Sequence, residues 1–157
     1  MASSSTPKSV LFVCLGNICR SPIAEAVFNH VAKEKGVESQ WTSDSAAIGS
    51  WHIGKNPDHR ARSCMKEHNI AMDHKARQVK KADFNKFNVI FGMDDENIND
   101  LKSIAPDSHT ASIELLGKYD PEGKTIIRDP YYDDGAEGFE EAYIQCLRCC
   151  KAFLEKQ

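Results

Sequence analysis

Strands alternate with helices along most of this 157-residue chain, which predicts a single α/β domain with a parallel sheet and helices on both faces. Three observations carry that reading. The run Val10-Leu11-Phe12-Val13 is uniformly apolar and short, as a strand buried on both faces would be. Helical spacing of Ile23, Ala24, Val27, Phe28 and Val31 follows at once, and the same switch from strand to helix recurs downstream. The length suits one domain, with no internal repeat and no linker.

Ser9 to Val13 is the first strand. It gives way at Cys14-Leu15-Gly16-Asn17, where the last two residues tolerate positive φ. A helix starts from Ser21-Pro22, proline being favoured early in a helix, and Gly36 stops it. Gln40 to Ser45 reads as a second strand, Gly49 to Pro57 as a turn-rich segment and Asp58 to Asn69 as a helix. Asn88 to Gly92 is a third strand with Met93-Asp94-Asp95 at its end. A short helix over Asp95 to Ser103 and a fourth strand over Ser112 to Leu116 follow. Gly117 and Asp120-Pro121 punctuate the chain after it. Phe139, Tyr143, Cys146, Cys150 and Phe153 form an apolar stripe on a terminal helix. In such sheets ligands bind beyond the carboxyl ends of the strands, where Cys14 to Arg20 and Met93 to Asp95 fall.

Composition excludes several classes. Hydrophobic residues make up 41% and charged residues 27%, so the chain is neither disordered nor fibrous. A net charge of -3 argues against a dedicated nucleic-acid binder. The first apolar run is too short for a signal-peptide core or a stable membrane insertion, and residue 2 is alanine, outside the myristoylation pattern. The expectation is a cytoplasmic protein with reduced thiols. Residues 1–7 read as a serine-rich flexible tail and 8–157 as the folded domain. Charge is uneven. Residues 50–86 hold nine Lys/Arg against four Asp/Glu, and residues 120–141 hold eight Asp/Glu against two Lys/Arg. Solvated faces of opposite sign are the usual meaning; an acidic loop facing a basic surface at a site is the other.

The segment between the first strand and the first helix carries the chemistry. Cys14 is followed six positions later by Arg20, and Ser21 opens the helix. Alone the spacing means little; strand, tight loop and helix in that order make an anion site. Loop N–H groups converge, and the helix adds its unpaired N–H groups and positive dipole end. Arg20 supplies a planar fork for two phosphate oxygens. Cys14 sits beneath the anion, where the same field favours its thiolate, the nucleophilic form. Ser21 is placed to donate a hydrogen bond to that sulfur.

Val13-Cys14-Leu15-Gly16-Asn17-Ile18-Cys19-Arg20-Ser21-Pro22 resembles the signature of the low-molecular-weight protein tyrosine phosphatases. The resemblance extends through Asp44-Ser45, Trp51, His74 to Arg77, Met93-Asp94, Ile113 to Gly117, Asp129-Pro130-Tyr131-Tyr132 and Gln145 to Cys150. It implies a four-stranded parallel α/β domain that hydrolyses phosphotyrosine and small aryl phosphates through Cys14, with no metal and no cofactor. Phosphotyrosine-containing proteins are then its partners, and a weak homodimer, known among relatives, is a further one.

The resemblance also assigns roles. Residues Leu15 to Ser21 form the phosphate loop, Arg20 stabilises the transferring group and Asp129 is the general acid. From the residues alone Asp120, in a second Asp-Pro pair, is a rival, with the neighbouring tyrosines favouring Asp129. Tyr131 and Tyr132 can wall an aryl slot beside Asp129, and Trp51 can form the opposite wall. Ser45 and His74, with Asn17, resemble the network that supports the loop, although a histidine like His74 is more often a surface residue. Cys19 is implied as a redox partner that forms a disulfide with Cys14 under peroxide. Cys146, Cys149 and Cys150 lack the second ligand pair of a zinc site, and two of them lie on the apolar stripe, so they read as core. Cys64 has no role in this reading. Three alternatives stand beside it. An arsenate reductase of this fold needs a cysteine relay, which the stretch from Arg20 to Gln145, holding only Cys64, does not supply. A phosphoarginine phosphatase carries threonine where this chain has Ile18, and a silent phosphotyrosine-binding module would lack Cys14 or Asp129.

Overall fold

The structure, a computed structural model, describes residues 7–157. Residues 1–6, most of the expected tail, lie outside the described residues. Strands β1 (Lys8–Cys14), β2 (Trp41–Ala47), β3 (Val89–Gly92) and β4 (Ser112–Leu115) form one parallel sheet in the order β2-β1-β3-β4. Central β1 is buried on both faces. Val10, Phe12 and Cys14 enter one core, while Leu11 and Val13 enter the other. This two-faced burial is why β1 reads as a continuous apolar run rather than an alternating one.

Helices α1 (Arg20–Glu34), α2 (His59–Glu67) and α5 (Glu137–Glu155) cover the first face, and α3 (Asp83–Lys86) and α4 (Asp95–Ile104) the second. Helix α1 stops where expected: Gly36 adopts φ 72, and the N–H of Val37 reaches back to the carbonyl of Ala32. The stripe on α5 is buried throughout and is anchored by Phe153, whose ring meets Phe91 and Tyr119 edge-on at 5.1 Å. Cys149, absent from that stripe, is fully buried as well.

The differences from expectation are local. β2 starts at Trp41, because Glu38–Gln40 form a 3₁₀ turn, and runs on to Ala47, because it stays paired with β1 as far as Cys14. Helix α2 begins at His59 with Asp58 as its cap, the carboxylate accepting the N–H of Arg60 at 2.9 Å. It ends at Glu67, before Asn69 at φ 58. Helix α3 and a 3₁₀ turn at Leu116–Tyr119 are too short to leave a periodic signal.

Strand order reverses direction between β1 and β3, one connection running outward to β2 and the other to β4. The carboxyl ends of β1 and β3 therefore flank a topological switch point, the crevice where open sheets of this kind bind ligands. Cys14 ends β1, and Met93-Asp94 follow β3.

Candidate active site

From Cys14 the chain turns through residues 15–19 before α1 begins at Arg20. Asn17 takes φ 57, the left-handed position expected for it. The Cys14 sulfur lies 3.0 Å from Ser21 Oγ and accepts the N–H groups of Asn17 at 3.3 Å and Ser21 at 3.4 Å. The N–H groups of Leu15, Gly16, Ile18, Cys19 and Arg20 meet no protein acceptor among the described residues. A loop of free N–H groups leading into a 15-residue helix is an anion cradle.

Hydrogen-bond directions around Asn17 can be read without ambiguity. The backbone N–H of Arg77 only donates, so the Asn17 atom it meets at 3.1 Å is Oδ1. Asn17 Nδ2 then donates to Ser21 Oγ at 2.8 Å and to Ser45 Oγ at 3.0 Å. With its oxygen already accepting, the Ser21 hydroxyl is free to direct its hydrogen to the Cys14 sulfur. His74 Nε2, 2.7 Å from Asn17 Oδ1, must be the protonated nitrogen. Its Nδ1 faces Glu25 Oε1 at 3.4 Å, and Ser45 Oγ donates to the same oxygen at 2.6 Å. Burial pushes the Glu25 carboxyl up to about 7, with Asp44 adding to the rise, and burial also holds the His74 imidazole below its usual value. Ser45 and His74 lie where the sequence placed them; Glu25 and Arg77 complete the network and were not foreseen.

Arg20 is 2% exposed. Its Nη1 is spent on Asp94 Oδ2 at 2.7 Å and the carbonyl of Ile127 at 2.9 Å. Its Nη2 lies 3.5 Å from Asp129 Oδ2, and its buried Nε has no partner. Burial works against the guanidinium charge, but Cys14, Asp94 and Asp129 outweigh it and hold the group above its ordinary value. A buried guanidinium with one edge fixed and one nitrogen unsatisfied is a half-filled anion clamp.

Asp129 reaches the cleft above this loop. Its Oδ1 accepts the N–H of Tyr131 at 3.1 Å, which aims Oδ2 at Arg20. The two Asp-Pro pairs lie in different surroundings. Asp120 is gripped by Arg148 at 2.9 Å through both oxygens, which holds its carboxyl below the ordinary range, and it caps the N–H of Glu122. The cleft has a volume of about 350 Å³, with Cys14, Gly16 and Ile18 along its floor and Trp51, Tyr131 and Tyr132 lining it. Trp51 is 66% and Tyr132 80% exposed, and the two tyrosine rings stand edge to face at 4.9 Å. The indole of Trp51 packs over Gly49, where any Cβ would collide with it. His52 lines the same cleft with its Nδ1 buried and unpartnered.

Arg60 joins the basic and acidic segments here. Arg60, in the first turn of α2, donates to the carbonyls of Tyr131 at 2.9 Å, Asp133 at 2.8 Å and Gly135 at 3.3 Å, and lies over the Phe139 ring. It thus fixes the loop that carries Asp129 by backbone contacts rather than by pairing charges. Cys19 is buried beside the site; burial, reinforced by Cys14, pushes its thiol well up, and both thiols are free.

Asp94 was placed at a strand end by sequence without a role. It caps α4 by accepting the N–H of Asn97 at 2.8 Å with one oxygen and holds Arg20 with the other.

Known proteins resemble the whole chain. The family model for low molecular weight phosphotyrosine protein phosphatase matches residues 9–157. The protein of that description from Gallus gallus is 56% identical over 151 residues, 95% of each chain. The crystal structure of Primo-1 superposes with a TM-score of 0.93 at 46% identity, covering 96% of this chain and 98% of that one. That of the drosophila arginine phosphatase DARP gives 0.89 at 39% identity, covering 94% and 96%. With this match across nearly its full length, the chain belongs to the low molecular weight phosphotyrosine protein phosphatase family.

Proposed function

We propose that this chain hydrolyses phosphotyrosine and small aryl phosphates through a cysteinyl-phosphate intermediate. One observation carries the reading: the Cys14 sulfur and the Asp129 carboxyl line one cleft, and the buried Arg20 guanidinium, with its Nε unsatisfied, lies 3.5 Å from that carboxyl. The substrate's phosphoryl oxygens take the loop N–H groups and the free edge of Arg20. The Cys14 thiolate attacks phosphorus in line, forming the S–P bond as the P–O bond to the aryl group breaks. Asp129 gives its proton to the departing phenolate, a step worth about 10²–10⁴-fold. Asp129 then takes a proton from water, which attacks the cysteinyl phosphate, releases inorganic phosphate and regenerates the thiolate. Charge on the equatorial oxygens is held by Arg20 and the loop in both steps. The Ser21 hydroxyl hydrogen steadies sulfur as nucleophile and as leaving group.

Trp51, Tyr131 and Tyr132 favour an aryl group in the slot. The likeness to an arginine phosphatase gives a second reading, but here the cleft floor carries Ile18, which offers no hydroxyl to orient a guanidino leaving group. The relay of an arsenate reductase is not supported by Cys64, whose sulfur lies against Glu140 and the carbonyl of Phe139 rather than in the cleft. Among the described residues no helix is long and apolar enough to cross a membrane. Cytoplasmic residence is part of the same reading and draws support from the six free thiols. So does the redox role of Cys19. Peroxide converts the Cys14 thiolate to a sulfenic acid, which condenses with the Cys19 thiol to a disulfide and releases water. Mass spectrometry of peroxide-treated protein tests that bridge. A weak homodimer that covers the cleft is tested by sedimentation.

The function is tested with para-nitrophenyl phosphate at mildly acidic pH in the presence of a chelator. Turnover should be abolished by Cys14→Ser and strongly slowed by Asp129→Ala. Side-by-side phosphotyrosine, phosphoarginine and phosphoserine substrates should rank phosphotyrosine first. Activity that survives Cys14→Ser, or a preference for phosphoarginine, overturns the reading.

A further inference from the structure

Cys64 is not absorbed by the catalytic site, and its surroundings are not those of an idle core thiol. It sits on α2 one helical turn before His68, and Glu140 approaches both from the first turn of α5. His68 Nε2 lies 2.8 and 3.0 Å from the two Glu140 oxygens, and the Cys64 sulfur lies 3.5 Å from Oε1. One donor atom from each residue falls within 4.8 Å of the other two. Tyr143 stacks flat on the His68 imidazole, 3.9 Å between centroids and 17° between planes, which fixes the ring. Cys64 is buried, while the Glu140 side chain is 45% exposed, so the cluster opens to solvent on its carboxylate side.

A histidine–glutamate ion pair would account for two of these groups. It does not call for a thiol directed at the same oxygen. Thiolate, imidazole and carboxylate together are the donor set of zinc. Bonds of about 2.0–2.3 Å at tetrahedral angles put donor atoms roughly 3.3–3.6 Å apart. The sulfur–oxygen distance already falls there, and the His68–Glu140 contact needs to open by only about 0.5 Å. We propose that Cys64, His68 and Glu140 form a binding site for a borderline-soft divalent cation of the zinc class, with water as fourth ligand. The ion replaces the Cys64 thiol proton, which leaves to solvent. His68 presents a bare Nε2, so its hydrogen moves to Nδ1 or leaves as a proton. The bound ion ties α2 to α5. The loop that carries Asp129 is held by Arg60 of α2 and leads into α5, so the site is a staple beside the catalytic apparatus and not part of it.

Cobalt(II) titrated into the full chain carrying Cys14→Ser and Cys19→Ser tests this without interference from the loop thiols. The expected result is a near-ultraviolet thiolate-to-cobalt charge-transfer band that saturates at one equivalent and is displaced by zinc. The band should vanish with Cys64→Ser, and affinity should fall about tenfold or more with Glu140→Gln. Zinc at a concentration that just saturates the parent should raise its thermal midpoint and raise that of Glu140→Gln less. Glu140 is surface-accessible, so its variant serves even where Cys64→Ser folds poorly. No band in the parent, or a cobalt affinity and zinc midpoint shift in Glu140→Gln equal to those of the parent, overturns the proposal.

Discussion

Arg20 and Asp94 form a 2.7 Å ion pair that joins the end of β1's loop to the end of β3. It spans the switch point of the sheet and has a consequence for how Arg20 can act. With Nη1 committed to Asp94 and to the carbonyl of Ile127, the guanidinium plane is fixed and its Nε edge is left for an anion. A fixed fork binds tetrahedral oxyanions better than a mobile one, because little rotamer entropy is lost on binding.

Asp94→Asn removes the charge while keeping the size. Inhibition by inorganic phosphate should weaken and kcat/KM should fall about 10–100-fold, with stability lower by about 1–3 kcal/mol. Steady-state kinetics and urea denaturation measure both. Unchanged phosphate affinity would mean that Asp94 does not set the plane of Arg20.

Asn17 joins four partners at a positive φ. Asn17→Ala strands Ser45, His74 and the Arg77 N–H and adds backbone strain, for a loss of about 3 kcal/mol. Asn17→Gly should recover about 1 kcal/mol of that by relieving φ while leaving the network broken. Activity should be low in both, since the Ser21 hydroxyl is then free to turn away from sulfur. Equal stability of the two variants would show that φ carries no strain here.

Glu25 provides a pH test. In the unfolded chain it ionises near 4.5, and in the fold it keeps its proton to about 7. Between those values the folded state binds more protons than the unfolded state, so the Glu25 contribution to stability falls as pH rises across that window and levels off above it. The slope is at most about 1.4 kcal/mol per pH unit. His74, held below its usual value, acts in the opposite sense as pH falls, but it is present in both proteins and cancels in a comparison. The stability of the parent minus that of Glu25→Gln should therefore decline from pH 5 to 7. A flat difference curve would place no retained proton on Glu25.

Arg60 holds three carbonyls of the Asp129 loop. Arg60→Gln should slow turnover of substrates with poor leaving groups by about tenfold and affect good leaving groups less, because proton delivery depends on where Asp129 is held. A series of substituted phenyl phosphates measures this. An equal loss across the series would assign Arg60 to folding alone.

The elements read from the sequence are those whose information is local. Cys14 to Ser21 is contiguous, so strand, loop and helix order sufficed to place the anion cradle, and Asn17 announced its own φ. The supporting groups are assembled across long separations and were harder to see. Glu25 looks like any solvent-facing acid on α1 until the pairing of Phe12 with Ser45 sets Ser45 beside the loop. Asp120 and Asp129 both sit in Asp-Pro dipeptides; the neighbouring tyrosines favour Asp129 locally, but the distant Arg148 and Arg20 that set their surroundings are not visible in the sequence. Cys64 and His68 did carry a helical i, i+4 pair, but Glu140 comes from another helix.

The most direct test is acid quench of the enzyme within one turnover of para-nitrophenyl phosphate, followed by peptide mass spectrometry. A phosphoryl group on Cys14, which turns over with the release of phosphate and is absent in Cys14→Ser, is the predicted result. Full turnover with no phosphoryl group on Cys14, or with one on another residue, would contradict it.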